Sequence, residues 1–153
     1  MRRMETYMSK KAPRLHGMKA YLSGPMRGYP NFNFPLFDDV ATRLRQDGVI
    51  VYNPSENDQA TYPDIDKWPG FAAGDTTQCP KFNLHLALRW DFARILESNA
   101  IIMLPSWRQS VGAKAERYVA ESTGKNVFIW NTYENVAYFD AIQVRMSNPE
   151  VLR

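Results

Sequence analysis

The chain has 153 residues, of which 44% are hydrophobic and 23% are charged, a composition typical of one globular domain with a full core. The sequence contains no apolar run long enough to span a membrane and no apolar stretch typical of a signal peptide near its first residues. The single cysteine, Cys79, excludes an internal disulfide framework and has no cysteine nearby for a zinc site. We therefore expect a cytoplasmic protein without a metal or a cofactor.

The net charge of +3 arises in the first 17 residues, which carry five basic side chains and one glutamate. A polar, basic segment of this kind is typical of a solvated extension. We predict a disordered basic tail over residues 1–17 and one folded domain over residues 18–153. The near-neutral domain gives no reason to expect a nucleic-acid partner.

The first half of the chain predicts a strand, a loop, a helix and a second strand. Residues 18–22 form the first strand, and residues 23–30 form a loop rich in Gly and Pro. Apolar residues then recur at helical spacing from Phe37 to Leu44, before a short strand over residues 49–52. This order is a βαβ unit, which implies parallel strands joined by a right-handed crossover.

Residues 53–82 interrupt this order with four prolines and two glycines, which preclude a long regular element. The segment also carries Tyr62, Trp68 and Phe71, which favours an ordered lid over a linker. Two interpretations of these rings stay open. They can stack on a planar base, or they can fill the edge of the core.

The second half continues the alternation of helices and strands. Its predicted elements are a helix over 83–97, a strand over 100–104, a helix that ends at Gly124, a strand over 126–130 and a closing helix from Glu134 to about Met146. The whole predicts a three-layer, Rossmann-like α/β domain with a parallel sheet of four to five strands.

Two carboxylates fall on the apolar faces of predicted helices. The helical neighbours nearest to Glu116, three and four positions away, are all small or apolar. Asp91 has similar neighbours on the preceding helix. A carboxylate on an inward face is costly unless it is partnered or used, so the pair suggests a site. A glutamate at the rim of the face, or an ion pair between Asp91 and Arg94, remains an alternative.

The stretch at 110–116, Ser-Val-Gly-Ala-Lys-Ala-Glu, leads from a loop into a helix. The free N–H groups at such a helix start suit an anion. The loops at 23–30 and 105–112 both leave carboxyl ends of predicted strands, where open α/β sheets bind their ligands. The sequence has no Walker loop, no dinucleotide-binding GxGxxG and no hydrolase serine elbow.

Three motifs occur in a fixed order: Tyr-Leu-Ser-Gly-Pro-Met-Arg-Gly at 21–28, Asp91 ahead of Asn-Ala-Ile-Ile-Met-Leu-Pro, and Ser-x-Gly-x-x-x-Glu at 110–116. Over about residues 18–131 the chain thereby resembles the nucleoside 2-deoxyribosyltransferase superfamily. That superfamily includes the 2'-deoxynucleoside 5'-monophosphate N-glycosidases, and the resemblance is to its DUF4406 branch, often seen in phage and bacterial genomes. It implies cleavage of the N-glycosidic bond of a nucleoside 5'-monophosphate, by hydrolysis or base transfer. It also implies a homodimer or larger homo-oligomer.

The resemblance assigns roles to individual positions. Glu116 matches the catalytic glutamate that attacks the anomeric carbon, and Tyr21 matches the aromatic residue that orients this glutamate. Asp91 matches the aspartate that handles the base or the sugar. Ser110 matches a phosphate-binding serine of the monophosphate hydrolases, where the nucleoside transferases tend to have aspartate. The other positions expected to bind substrate or phosphate are Ser23, Gly24, Arg27 and Gly112.

A second function stays open, because a fold alone does not fix function. The same pocket could serve a non-catalytic module that binds a nucleotide or senses a nucleotide-derived signal. Release of free base from a nucleotide distinguishes the enzyme from the sensor.

Overall fold

The computed structural model describes residues 15–140, which are built around one five-stranded sheet. The strands are β1 (Lys19–Ser23), β2 (Ile50–Tyr52), β3 (Ala100–Met103), β4 (Asn126–Asn131) and β5 (Val136–Phe139). The helices are α1 (Phe34–Gln46), α2 (Pro54–Thr61), α3 (Leu84–Glu97) and α4 (Val111–Ser122).

The sheet has the strand order β2-β1-β3-β4-β5. β1 pairs in parallel with both β2 and β3, and β4 pairs in parallel with β3. The chain therefore passes from β1 to β2 on one side, and then crosses back over β1 to β3 on the other side. In an open α/β sheet, the carboxyl ends of two strands at such a reversal form the crevice that binds ligands.

Side chains that alternate along β1 separate two apolar cores. Ala20 and Leu22 pack with α1 on one face of the sheet. Tyr21 points to the other face, where it packs with Ile95 of α3 and Ala113 of α4. Since helices cover both faces, the strands are apolar on both sides, as parallel strands usually are. The predicted three-layer, Rossmann-like α/β fold is confirmed.

The closing helix predicted from Glu134 is wrong over the described residues. Val136–Phe139 form β5, which is antiparallel to β4, so the sheet has four parallel strands and one antiparallel edge strand. Ala137 is buried, and the Phe139 ring meets the Phe128 ring edge-on at 5.3 Å between centroids. The apolar residues of this stretch fit a strand as well as they fit helical spacing. Its β-branched and aromatic residues favour the strand. Residues 141–153 lie outside the described part of the chain.

The segment over residues 53–82 is ordered and contains one helix, α2, that the sequence analysis did not predict. The helix begins at Pro54, and the Asn53 side chain caps it by accepting a hydrogen bond from the Ser55 N–H at 3.0 Å. Short turns follow, and their aromatic rings pack together, with Tyr62 and Trp68 at 5.0 Å between ring centroids. Ile65 and Cys79 of this segment pack with Phe32 and Phe34 in a small third apolar core.

The packed part of the chain begins before the predicted boundary at Met18. Leu15 is buried and packs in the core beneath α1. The Gly17 N–H donates a hydrogen bond to the Gly48 carbonyl oxygen at 2.9 Å. Residues 15–17, which the sequence analysis assigned to the tail, therefore pack on the domain. The rest of the predicted tail, residues 1–14, lies outside the described residues.

Candidate active site

Glu116 lies on the inward face of α4, with its carboxylate directed at β1 and only 8% of the residue exposed. One carboxylate oxygen accepts a hydrogen bond from the Tyr21 hydroxyl, and the other accepts one from the Ser23 hydroxyl at 2.9 Å. Both donors are completely buried in β1. The carboxylate is therefore fixed from behind by two hydroxyl groups of one rigid strand.

A cavity of about 560 Å³ lies in front of Glu116, at the carboxyl ends of β1 and β3. Its volume falls within the range of small-molecule sites. The charged and hydroxyl-bearing side chains that the sequence analysis proposed and that line this cavity are Arg27, Asp91, Ser110 and Glu116. Gly24 and Gly112 line it too, whereas Tyr21 and Ser23 do not. Ser23 thus contacts the carboxylate and is placed behind it, away from the position expected of a phosphate ligand.

Asp91 reaches the cavity because the inward face of α3 is divided between two environments. Ile95 is completely buried in the core. Leu84, Leu88 and Asp91, on the same face toward the start of the helix, line the cavity wall instead. The polar residue on an apolar face is thereby explained, since its carboxyl group faces an open cavity and not the core.

The two carboxyl groups share an environment that disfavours charge. Burial raises the pKa of the Glu116 carboxyl to about 8; the negative charge of Asp91 adds to the rise, and the hydrogen bonds from Tyr21 and Ser23 oppose it. Burial also raises the pKa of the Asp91 carboxyl to about 7. The pKa of the Tyr21 phenol is raised well above its ordinary value by burial and by both carboxyl groups, so it stays a donor. A carboxyl pair with one proton near neutral pH can supply both an acid and a nucleophile.

The first turn of α4 forms one wall of the cavity. Ser110 caps the helix, because its hydroxyl oxygen accepts a hydrogen bond from the Ala113 N–H at 3.1 Å. The N–H groups of Val111 and Gly112 have no carbonyl partner within the helix, and both residues line the cavity. The Ala113 N–H donates to the cap and is therefore not free for an anion. The Ser110 hydroxyl keeps its own proton to donate.

Arg27 stands on the loop after β1 and lines the cavity with an exposed side chain. Over residues 15–140, no carboxylate forms an ion pair with it. Its loop is fixed at Pro25, whose carbonyl oxygen accepts a hydrogen bond from the Asn33 side-chain amide at 2.9 Å. A guanidinium that lines a cavity and has no ion-pair partner in the described part of the chain is well suited to a phosphate group.

Aromatic rings line the remaining wall, on the side of the segment over residues 53–82. Phe32, Trp68 and Phe82 face the cavity, while Tyr62 and Phe71 pack around them and do not line it. Of the three rings singled out in the sequence, Trp68 alone therefore has the position needed to meet a ligand.

The cavity wall also carries a carboxyl group that was not expected from the sequence, that of Asp58. Asp58 lies on α2, where burial raises the pKa of its carboxyl group to about 7 and the charge of Asp91 adds to the rise. The Asn53-Pro54 pair, a cap followed by a first-turn proline, is the signal that could have revealed this helix and the residue one turn into it.

Among residues 15–140, no three His, Cys, Asp or Glu side chains are grouped so that they could hold a metal ion. In the same range, no helix combines the length and the apolar character needed to cross a membrane. Cys79 is a free, buried thiol whose sulfur lies 3.3 Å from the Pro69 carbonyl oxygen.

A search of curated proteins found no significant match to the chain. A family model described as a domain of unknown function, DUF4406, matches residues 18–129. The match runs from β1 into β4 and includes every residue named above in the cavity wall. The chain belongs to the DUF4406 family.

Proposed function

We propose that this protein cleaves the N-glycosidic bond of a nucleoside 5'-monophosphate, by hydrolysis or by transfer to a second base. One observation carries the proposal: the buried Glu116 carboxylate, held by two hydroxyl groups, opens onto a cavity that also holds a second carboxyl group and an unpaired arginine. The order of the sequence motifs, which resembles the nucleoside 2-deoxyribosyltransferase superfamily, supports the same chemistry.

The reaction needs a nucleophile for the sugar and a proton for the base. A Glu116 carboxylate oxygen attacks the anomeric carbon, and the carbon–nitrogen bond breaks with its electron pair going to the base. Asp91 donates a proton to the departing base. Water or a second base then attacks the anomeric carbon from the side opposite Glu116 and gives up a proton to the ionised Asp91. The bond to Glu116 breaks, and its electron pair returns to the carboxylate.

Tyr21 and Ser23 are positioning residues in this scheme. Their hydroxyl groups occupy one lone pair on each Glu116 oxygen and fix the plane of the carboxylate. A nucleophile held in one orientation loses little entropy when it attacks, which is a large part of enzymatic rate enhancement.

The phosphate group is the main handle on the substrate. Arg27, Ser110, Val111 and Gly112 all line the cavity. Together they offer a charged donor and several neutral donors to a dianion. A homodimer or larger homo-oligomer and a cytoplasmic location accompany this proposal, on the basis of the resemblance alone.

The experiment that tests the proposed function is a panel of nucleoside 5'-monophosphates and their nucleosides, in ribose and deoxyribose forms, incubated with the protein. Free base is then measured by chromatography. We expect release from at least one monophosphate and much slower release from its nucleoside. Tight binding without any base release would instead favour the nucleotide sensor.

Gly112→Ala should make the protein more stable but weaken its binding of a monophosphate. A Cβ built at Gly112 would meet nothing nearer than the Ser110 hydroxyl oxygen, at 3.9 Å. The substitution should therefore raise stability, by up to about 1 kcal/mol, because glycine is a poor helix former. The added methyl group should nevertheless occupy space beside the N–H donors and weaken monophosphate binding several-fold. Thermal melts and calorimetry measure both effects, and an unchanged affinity would contradict this phosphate position.

The rate should have a bell-shaped dependence on pH, with its maximum between about pH 7 and about pH 8. The reactive form, an ionised Glu116 beside a protonated Asp91, is the minor one of the two forms with one proton, because the pKa of Glu116 is the higher of the two, and its share is largest between the two pKa values. At lower pH both carboxyl groups hold a proton and Glu116 cannot attack, and at higher pH both are ionised and Asp91 cannot protonate the base. Measurements of kcat/KM against pH test this. Asp91→Asn should lower the rate and abolish the alkaline limb, whereas an alkaline limb that survives the substitution would rule out Asp91 as the acid.

A further inference from the structure

Asp58 carries a third carboxyl group in the cavity wall, and the proposed reaction does not use it. Its neighbours on α2 have partners elsewhere: Glu56 forms an ion pair with Arg45 at 2.5 Å, and the Gln59 amide donates to Asp38 at 3.2 Å. The Asp58 carboxyl group has no hydrogen-bond or ion-pair partner among residues 15–140. Because a partly buried carboxyl group usually has a partner, this one is available to a ligand.

Asp91 is the carboxyl group that links the other two electrostatically. Its charge raises the pKa of both Glu116 and Asp58. Since such influences fall off with distance, Asp91 lies within electrostatic range of both.

The strand order places Asp58 on the side of β1 away from the anion donors. α4, with its anion donors, follows β3, and α2, with Asp58, follows β2, while β1 lies between these two strands. A nucleotide with its phosphate at the start of α4 and its anomeric carbon at Glu116 therefore extends its base toward α2. The aromatic rings of Trp68 and Phe82 line the cavity together with Asp58 and can flank a planar base.

We propose that Asp58 selects the base, by accepting two parallel hydrogen bonds from adjacent N–H groups on the edge of guanine. This inference rests on the proposed function. A carboxylate matches two parallel donors with its two oxygens, and guanine presents its ring N–H beside its amino group. Hypoxanthine offers the ring N–H alone. At a pKa of about 7, the Asp58 carboxyl group gives up its proton readily near neutral pH, and both of its oxygens can then accept hydrogen bonds.

The test measures binding and not turnover, so it does not depend on the reaction. In a Glu116→Gln background, calorimetry gives the affinities for the guanine and hypoxanthine 5'-monophosphates, in both sugar forms. We expect guanine to bind roughly tenfold or more tightly, the loss expected for one charge-assisted hydrogen bond. Asp58→Asn should bring the ratio of the two affinities close to one. Asp64→Asn is the matched control, since Asp64 is an exposed acid of the same segment and does not line the cavity.

Each other outcome overturns the inference. If Asp58→Asn weakens both nucleotides equally, Asp58 contacts the sugar and does not read the base. If the ratio is unchanged, Asp58 has no part in selection, while base release by the protein with Glu116 intact would leave the proposed function standing. If no nucleotide binds, and none is cleaved by the protein with Glu116 intact, the inference and the proposed function fail together.

Discussion

Glu116→Gln should lower the rate of base release by roughly 10³-fold or more, the scale seen when a nucleophile is removed from an enzyme. The amide keeps the shape of the side chain but lacks the negative charge that bonds to the anomeric carbon. Nucleotide binding should survive, because the phosphate donors are on Arg27 and at the start of α4. Turnover assays and calorimetry on the same preparation measure the two effects.

The same variant should be more stable than the wild type, and increasingly so as the pH rises. Because the pKa of Glu116 is raised in the folded protein, the folded state retains a proton that the unfolded state gives up. Wild-type stability therefore falls as the pH rises from about 5 to about 8, and glutamine does not titrate. The Tyr21 and Ser23 hydroxyl groups can both donate and accept, so they can satisfy the amide. Melting curves across this pH range provide the measurement.

Glu97→Gln is the matched control for both effects. Glu97 is a partly exposed acid at the end of α3 whose ion pair with Arg94, at 2.9 Å, contributes little to stability. This control should leave turnover and the pH dependence of stability unchanged. A Glu116→Gln variant with wild-type turnover would exclude Glu116 as the nucleophile. A stability difference that does not grow with pH would mean that Glu116 is already ionised in the folded protein.

Arg27→Ala should weaken the binding of a nucleoside 5'-monophosphate by roughly 10-fold to 100-fold, as expected when one charge-assisted contact to a phosphate is lost. The binding of the corresponding nucleoside should change little, so the preference for the phosphorylated form should shrink. Arg27 forms no ion pair with a carboxylate over residues 15–140, so its removal leaves no buried charge there unpaired.

Arg89→Ala is the matched control for this loss of affinity. Arg89 is also an exposed cation, but it lies on α3 and does not line the cavity. The Arg89→Ala substitution removes the same charge from the protein and leaves the proposed phosphate site unchanged. Equal losses of affinity in the two variants would mean that Arg27 contributes only general electrostatic attraction. That result would contradict a specific contact between Arg27 and the phosphate.

The fold could be predicted from the sequence because most of its elements are locally unambiguous. The buried run from Ala100 to Met103 is apolar on both faces, which identifies a central parallel strand. β5 was misread because its four residues and the sequence after them fit helical spacing as well as alternation. Only its pairing with β4, a tertiary contact, decides between the two.

The candidate site was predictable where a polar residue broke an apolar helix face, as Glu116 and Asp91 do. Ser23 is the last residue of β1 and not the first residue of the predicted loop at 23–30, and its contact with Glu116 depends on how α4 packs against β1, which the sequence does not specify. Asp58 was not predicted as a site residue, because its helix begins at a proline in a segment that the sequence indicated to be irregular. Residues that reach a site through a connecting segment leave no periodic signal in the sequence.

The central claim is that the Glu116 carboxylate forms a bond to the sugar of a nucleotide, and mass spectrometry of the intact protein tests it most directly. The protein is incubated with the 2-fluoro analogue of the monophosphate that it cleaves best, because fluorine beside the anomeric carbon slows breakdown of a glycosyl-enzyme intermediate. We expect the protein mass to increase by that of the fluorinated sugar phosphate, with peptide mapping assigning the adduct to Glu116. Base release without any adduct, or an adduct on another residue, would contradict the account.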